Sequence, residues 1–286
     1  MQSRAVLSKA VLSRAVLSRV RQIAWNVGAV VICVVLAVPF LWTVLESFHG
    51  ADVFGPAFAV FRPTLSNYTF VFAHTQLPRQ FANSLIACGT AMIISIPVTT
   101  MAAYGYSRIR FRGKRLLFFG VLVTQILPAT ALVIPLYKVW SLGHLFSNLV
   151  ALGVAYAAFN MALGILLVKN FFDNLPTSLD EAAILDGCSR WQVFWYVLRP
   201  LVTPAIAASA VFVFVNAWQD YLLASSLITN SAQFTANVGL YAFKGANTTN
   251  WGAILATSVL VSLPSILVFT ATQRYFVRVV SGGVKG

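Results

Sequence analysis

Acidic side chains are scarce in this chain: seven Asp and Glu stand against twenty Lys and Arg in 286 residues. Histidine and cysteine are scarcer still, with three of each. His49, His74 and His144 lie far apart with no ligand spacing, which argues against a metal centre. Cys33 and Cys88 fall in apolar runs and Cys188 in a polar one, so no external disulfide framework is available. No Gly-x-x-x-x-Gly-Lys-Ser/Thr phosphate loop occurs, because the Gly113–Lys114 pair lacks both the first glycine and the following hydroxyl. ATP-driven work therefore needs a different chain. With no histidine inside an apolar run, and Asp220 the one acid set deep in such a run, a membrane enzyme lacks its catalytic constellation.

What is abundant is apolar surface: 59% of residues are hydrophobic, 9% are charged, and the mean hydropathy is +0.80. These values describe an integral membrane protein. A spanning helix takes about 20 mostly apolar residues, and six segments fit, near 23–45, 81–105, 116–135, 149–168, 204–226 and 251–271. The fold class expected is an all-α membrane protein of six transmembrane helices, with a basic tail over 1–22 and a permease domain over 23–286. The first apolar run begins near Ile23 and has no small-residue cleavage pattern after it, so it reads as a span and not as a leader.

The net charge of +13 is a matter of topology. Six spans put both termini on one side, together with the 106–115 and 169–203 loops. That side carries sixteen of the twenty basic residues, and the other holds Arg62, Arg79, Lys138 and Lys244. The bias assigns the basic side to the cytoplasm, with anionic lipid, not nucleic acid, as the secondary partner of the excess charge. The first twenty residues repeat with period five, as in Ser3-Arg4-Ala5-Val6-Leu7 and Ser8-Lys9-Ala10-Val11-Leu12. Each step turns a helix by about 140°, so the charges spiral around it and suit a tail near the inner leaflet. The outer connections, about 46–80, 136–148 and 227–250, are too short to form a separate ligand-binding domain.

The 169–203 loop reads as a helix, turn, helix element. Pro176 suits a helix entry, Thr177 or Ser178 an N-cap, and Asp180 with Glu181 the positive end of the helix dipole. Ser178 and Glu181 have capping-box spacing. Gly187 supplies the left-handed stop after about two turns, Ser189 and Gln192 begin a second helix, and Pro200 closes it. Leu179, Ala182, Ala183 and Asp186 share one face of the first helix, small in its middle, which lets another surface come close. Capping and docking both explain a carboxylate at Glu181, and spacing alone leaves the choice open.

Polar residues inside spans mark either a substrate path or hydrogen-bonded helix contacts. The fifth span carries Asn216, Trp218, Gln219 and Asp220, with Gln125 and Asn160 on the third and fourth. Amides and a carboxylate beside an aromatic face suit sugar hydroxyls and the apolar face of a pyranose. Pro39, Pro97, Pro128, Pro135 and Pro264 are expected to kink, interrupt or end helices.

The run Glu181-Ala182-Ala183, then Gly187, Val197 and Pro200, resembles the EAA loop of permease subunits of binding-protein-dependent ABC importers. That pattern is EAA, three residues, Gly, nine residues, Ile, one residue, Leu-Pro; here Val197 replaces the Ile and Arg199 the Leu, placing a charge within reach of lipid phosphate. Leu175-Pro176, Asn67-Tyr68, Asn83-Ser84, Ala102-Ala103-Tyr104 with Arg108, Phe111-Arg112-Gly113-Lys114 and Gly283-Val284-Lys285-Gly286 are similar to the carbohydrate-type, MalG-like subgroup. The resemblance covers about residues 25–286.

The resemblance implies a non-enzymatic subunit in the bacterial inner membrane. It would pair with a homologous permease, be driven by two copies of an ATPase that holds ATP and Mg, and be fed by an external sugar-binding protein. Glu181 would make the polar contact to the ATPase, Ala182 and Ala183 would allow close seating, and Gly187, next to Asp186, would set the turn. A secondary transporter or channel would instead need no ATPase and would more often show buried charge pairs within its spans.

Overall fold

The computed structural model describes residues 2–50, 63–243 and 250–282. Arg62, Lys244 and the run Gly283 to Gly286 with Lys285 lie outside the described residues, as do the side chains of the basic residues before position 22 and of Arg278. Among the described residues the structure is helical: α1 Gln2–Ser47, α2 Ser66–His74, α3 Leu77–Arg108, α4 Lys114–Val123, α5 Ala129–Leu142, α6 Leu149–Asn174 and α7 Ser178–Leu185 come first. They are followed by α8 Arg190–Gln219, α9 Leu222–Leu227, α10 Ala236–Leu240 and α11 Trp251–Gly282. Long apolar helices are the form in which a chain can satisfy its backbone polar groups within a bilayer. Five are long and apolar enough to cross: residues Gln22–Ser47 of α1, then α3, α6, α8, and residues Trp251–Arg274 of α11.

The expected third span, 116–135, is not one helix. It divides into α4 and α5, with the break over 124–128. Pro128 is extended (φ −65°, ψ 130°) and stands immediately before α5; proline has no N–H to continue a helix and biases the residue before it away from helical backbone. The fifth span likewise stops at Gln219 and not near 226. Pro39, Pro97, Pro135 and Pro264 lie inside helices, so Pro128 alone of those five stands at a helix end. The backbone shows no division near residue 22, where tail and span form one helix, and the 169–203 segment is helical except over 175–177 and 186–189.

The core is the set α3, α6 and α8. On one half Ala87, Cys88, Ala91, Leu152, Tyr156, Val213, Phe214 and Trp218 pack together. On the other, Ala103, Val168, Phe172, Val193, Phe194, Leu198 and Val202 enclose Ala183 of α7. α1 exposes its apolar side chains and packs against α11. Small residues let membrane helices approach closely, and Gly153 on α6 shows how closely: a Cβ there would sit 2.6 Å from both the Ala87 carbonyl oxygen and Thr90 Cβ. Gly153→Val is expected to force α3 and α6 apart at a cost of about 1–3 kcal/mol. Thermal unfolding in detergent measures it, and an unchanged midpoint would show the contact to be slack.

Two clasps hold the helices at the start of α3. Asn67 Nδ2 donates to the Ser47 and His49 carbonyls at 3.0 and 2.6 Å, and the Tyr68 hydroxyl bonds Ser47 Oγ at 2.6 Å. Asn83 Nδ2 donates to the carbonyls of Ala232 and Phe234, both at 3.0 Å, and Ser84 Oγ accepts from the Ala236 N–H at 2.9 Å. The Asn67-Tyr68 and Asn83-Ser84 pairs singled out in the sequence therefore tie α2 to α1 and α3 to the segment before α10.

Candidate coupling site and translocation cleft

α7 occupies the end of the bundle that also holds Arg108, Lys114, Lys169 and Arg190. Its stop is built as the glycine predicts. Gly187 has φ +89°, its N–H donates to the Ile184 carbonyl at 3.0 Å, and the Cys188 N–H reaches back to the Ala183 carbonyl at 3.0 Å. These are the two bonds of a Schellman ending, which satisfies carbonyls that a helix end otherwise leaves open. The start of α8 also follows its sequence: Ser189 N–H donates to Gln192 Oε1 at 2.7 Å, and Gln192 N–H donates to Ser189 Oγ at 3.4 Å. This is a complete capping box.

Two local expectations fail. Neither Thr177 nor Ser178 caps α7 through its side chain, because Thr177 is itself helical (φ −65°, ψ −22°) and lacks the extended backbone that aims an N-cap oxygen at the first turn. Nor does Pro200 end the second helix. Residues Val193–Leu198 form a π turn in which the Arg199 N–H bonds back to the Phe194 carbonyl, and the helix runs on to Gln219. The wider turn shifts the backbone bonding by one residue just ahead of Pro200, which has no N–H to donate. The Arg199 guanidinium lies over the Trp195 ring at 4.3 Å, a cation–π contact at the foot of the span.

The faces of α7 are now distinct. Ala183 is buried against this chain's own core, with Leu179 partly buried beside it. Ala183 thus seats α7 on α6 and α8, while Glu181, Ala182, Asp186 and Gly187 are exposed. The Glu181 carboxylate makes no hydrogen bond or ion pair among the described residues, so it does not cap. Ile184 is exposed, and Leu185 is 87% exposed at the tip. An apolar tip on a polar, capped helix is a feature the spacing argument overlooked, since Leu185 reads as an ordinary helix former in sequence.

The span residues do not gather at one place. Asn160 Nδ2 donates to the Tyr156 carbonyl at 2.8 Å, Gln125 Nε2 to the Phe159 carbonyl at 2.9 Å, and Asn216 Nδ2 to the Phe212 carbonyl at 2.9 Å. Asp220 is extended and breaks the helix; its carboxylate accepts from the Tyr156 hydroxyl at 2.9 Å and from the Ala224 N–H at 3.0 Å, at the start of α9. Asp220→Ala is expected to destabilise the chain by about 1–3 kcal/mol by leaving the buried Tyr156 hydroxyl without its acceptor. A thermal midpoint equal to that of the parent would contradict this structural role.

Trp218 and Gln219 do share a cleft, of about 540 Å³, between α8 and α11. Asn237, Ser258, Ser262 and Ser265 supply the other polar groups of its wall, and Phe40, Leu240, Val261 and Ile266 its apolar part. Trp218 is 3% exposed, its ring lying against Phe214 and Phe81 and its Nε1 donating to the Val261 carbonyl at 2.9 Å. Ser258 and Ser262 bond back to their own helix, whereas Ser265 Oγ has no partner among the described residues. The serines went unnoticed in sequence because hydroxyls are inexpensive in an apolar helix when they bond to the preceding turn.

Residues 95–282 match the family described as the inner membrane component of binding-protein-dependent transport systems. The chain belongs to that family. It is 34% identical over 268 residues to a probable ABC transporter permease protein of Sinorhizobium fredii, covering 93% of this chain and 96% of the relative. It is 31% identical over 272 residues to the trehalose/maltose transport system permease protein MalG of Thermococcus litoralis, covering 93% and 98%. A solved bacterial ABC transporter involved in import of the acidic polysaccharide alginate contains a chain of the same fold, with TM-score 0.77, 23% identity, and coverage of 90% of this chain and 97% of that one. The protein is accordingly a multi-pass transmembrane permease of an ABC importer, a subunit class that is not itself catalytic. The matched region takes in α4 to α11, and with them the whole of the α7 element and every wall residue of the cleft except Phe40.

Proposed function

We propose that this permease is one half of the translocation path of an ATP-driven sugar importer, paired with a homologous permease. Two separate ATPase subunits, which hold ATP and Mg, drive the pair, and an external sugar-binding protein delivers substrate. The α7 element is the docking handle for one ATPase: Ile184 and Leu185 enter a cleft of the ATPase, Glu181 makes a polar contact beside them, Ala182 allows close approach, and Gly187 with Asp186 sets the turn that keeps the helix short.

One observation carries this reading: a helix capped at its end, seated on the core by Ala183, and presenting an 87% exposed leucine on the basic side of the bundle. Exposed apolar surface on an otherwise polar element marks a partner site. Relatives named for trehalose/maltose and for diacetylchitobiose transport support a sugar as the substrate. The cleft supports it too, because Gln219, Asn237 and the α11 serines supply amides and hydroxyls beside the Trp218 edge, groups that pair with sugar hydroxyls. Asn216, Gln125 and Asn160 each donate to a helix carbonyl, and Asp220 holds the Tyr156 hydroxyl and the first turn of α9, so these four shape the path by fixing its helices.

Packed helices move between discrete arrangements, and a ligand shifts them only through unequal affinity. ATP favours the closed ATPase pair; closure draws the two handles together, and the spans open outward. Purification with candidate partner subunits, followed by labelled-sugar uptake in vesicles with and without internal ATP, tests the whole scheme. Binding of a specific sugar to the external protein raises that protein's thermal midpoint. Absence of an ATPase from the complex, or uptake indifferent to ATP, would sink it.

A further inference from the structure

Three of the chain's segments meet at one guanidinium. Arg108 is the last residue of α3. Its Nη2 donates to the carbonyl of Leu175, the residue that ends α6, at 2.8 Å. Its Nε lies 3.2 Å from Oδ2 of Asp180 in the first turn of α7, with side chains only 11% and 18% exposed. The approach is off the line of a hydrogen bond, so the Asp180 contact is a charge contact, whereas the Leu175 contact is a directed bond. One turn earlier, Tyr104 packs its ring on Phe172 and Phe194 and brings its hydroxyl to 3.4 Å from the Arg190 carbonyl. Ser107 Oγ donates to Asp173 Oδ1 at 2.6 Å, and Lys169 pairs with the other oxygen of that carboxylate.

Chain connectivity makes this junction informative. α7 is joined covalently to α6 through 175–177 and to α8 through 186–189, but α3 has no covalent link to it. Motion of α7 therefore reaches α6 and α8 along the backbone, and reaches α3 only across contacts. Of those contacts, the Arg108–Asp180 pair is the one ionic bridge between α3 and α7 among the described residues. A partly buried ion pair resists separation, since parting the charges leaves each without compensation in a poorly solvated place.

We propose that Arg108 and Asp180 form a latch that makes α3 move with the α7 handle, so that α3, α6 and α8 respond to the ATPase as one body. Arg108 is a positioning residue: it touches neither nucleotide nor sugar and acts through Asp180 and the Leu175 carbonyl. Glu181, next in sequence and also facing the small cavity beside this junction, remains outward for the partner, which divides the two acids of the α7 first turn between an internal and an external task. The proposal rests on the importer reading for its consequence, but the latch itself is a property of this chain alone.

The test has two arms. In the first, hydrogen exchange over 178–189 is measured on the purified chain in detergent, with no partner present. Asp180→Asn is close to isosteric and removes the charge; it is expected to speed exchange of α7 about tenfold or more, with Asp180→Glu close to the parent. Unchanged exchange in Asp180→Asn overturns the latch whether or not an ATPase exists. In the second, the complete transporter in vesicles is read for sugar taken up per ATP hydrolysed. Arg108→Gln, Asp180→Asn and the double variant are each expected to lower that ratio by about tenfold, the double no further than the singles, because residues acting as a pair are not additive. Lowered ratios that multiply in the double variant, or a ratio equal to the parent despite faster exchange, overturn the transmission role. An ATPase missing from every complex, parent included, counts against the importer reading and leaves the exchange arm to decide the latch.

Discussion

Gly187→Val is expected to abolish most sugar uptake, by about tenfold or more, while ATP hydrolysis by the assembled transporter continues. At φ +89° a residue with a Cβ is strained by about 1–2 kcal/mol, and a β-branched one is least tolerated in that region. Nothing lies within 4 Å of the Cβ position, so no clash contributes and the effect belongs to the backbone alone. The strained residue relaxes by giving up the two bonds that close α7, from Gly187 to Ile184 and from Cys188 to Ala183. The handle then frays at its tip, next to Leu185, and ATPase motion is lost in a compliant joint. Gly187→Asn makes the matching control, since asparagine visits left-handed backbone readily, and it is expected to retain most uptake. Equal uptake by the valine variant and the parent would contradict the role of a stiff handle.

Leu185→Asp is expected to weaken association with the ATPase about 100-fold. Withdrawing a leucine side chain from a partner's cleft forfeits about 1.5–3 kcal/mol, and placing a carboxylate there adds desolvation; a total near 2.8 kcal/mol corresponds to two decades in affinity. The chain itself is expected to keep its thermal midpoint, because the side chain is 87% exposed and makes little contact within the subunit. Leu185→Met, nearly the same volume, is expected to retain the partner. The amount of ATPase recovered with each purified variant reads the difference, and full recovery with the aspartate variant would remove Leu185 from the interface.

Much of this arrangement is legible in the sequence where a single local rule decides. Gly187 has no better explanation than a left-handed stop, and Ser189 with Gln192 has the spacing of a capping box; both are built as read. The sequence is less informative where two local rules compete. Pro200 reads as a helix end, yet a π turn ahead of it lets α8 continue, because Val193, Phe194 and Leu198 are fully buried and hold the helix in place. Asp180 reads as a dipole residue, but Arg108, seventy-two positions earlier, takes its carboxylate. No periodicity within one helix reveals that partner. Hydropathy found the 116–135 stretch and overlooked its division, since an average over a window is insensitive to the single missing donor at Pro128. Asp220 in an apolar run suits either a path or a helix contact in sequence, and the contact it makes here, ending one helix and accepting from the next, joins residues that no periodicity relates.

The most direct test of the central claim, that α7 is the handle of a separate ATPase, is a photo-crosslink from position 185 in native membranes. A photoreactive phenylalanine analogue is placed at Leu185, and, as a control, at Leu142, which is 74% exposed at the end of α5 remote from α7 in sequence and carries no capped polar helix. The account predicts one crosslinked product at 185, identified by mass spectrometry as a chain bearing a phosphate-loop sequence, with a yield that changes when ATP is added, and no such product at 142. Crosslinks from 185 to lipid or to another permease alone, with no nucleotide-binding chain among them, would contradict it.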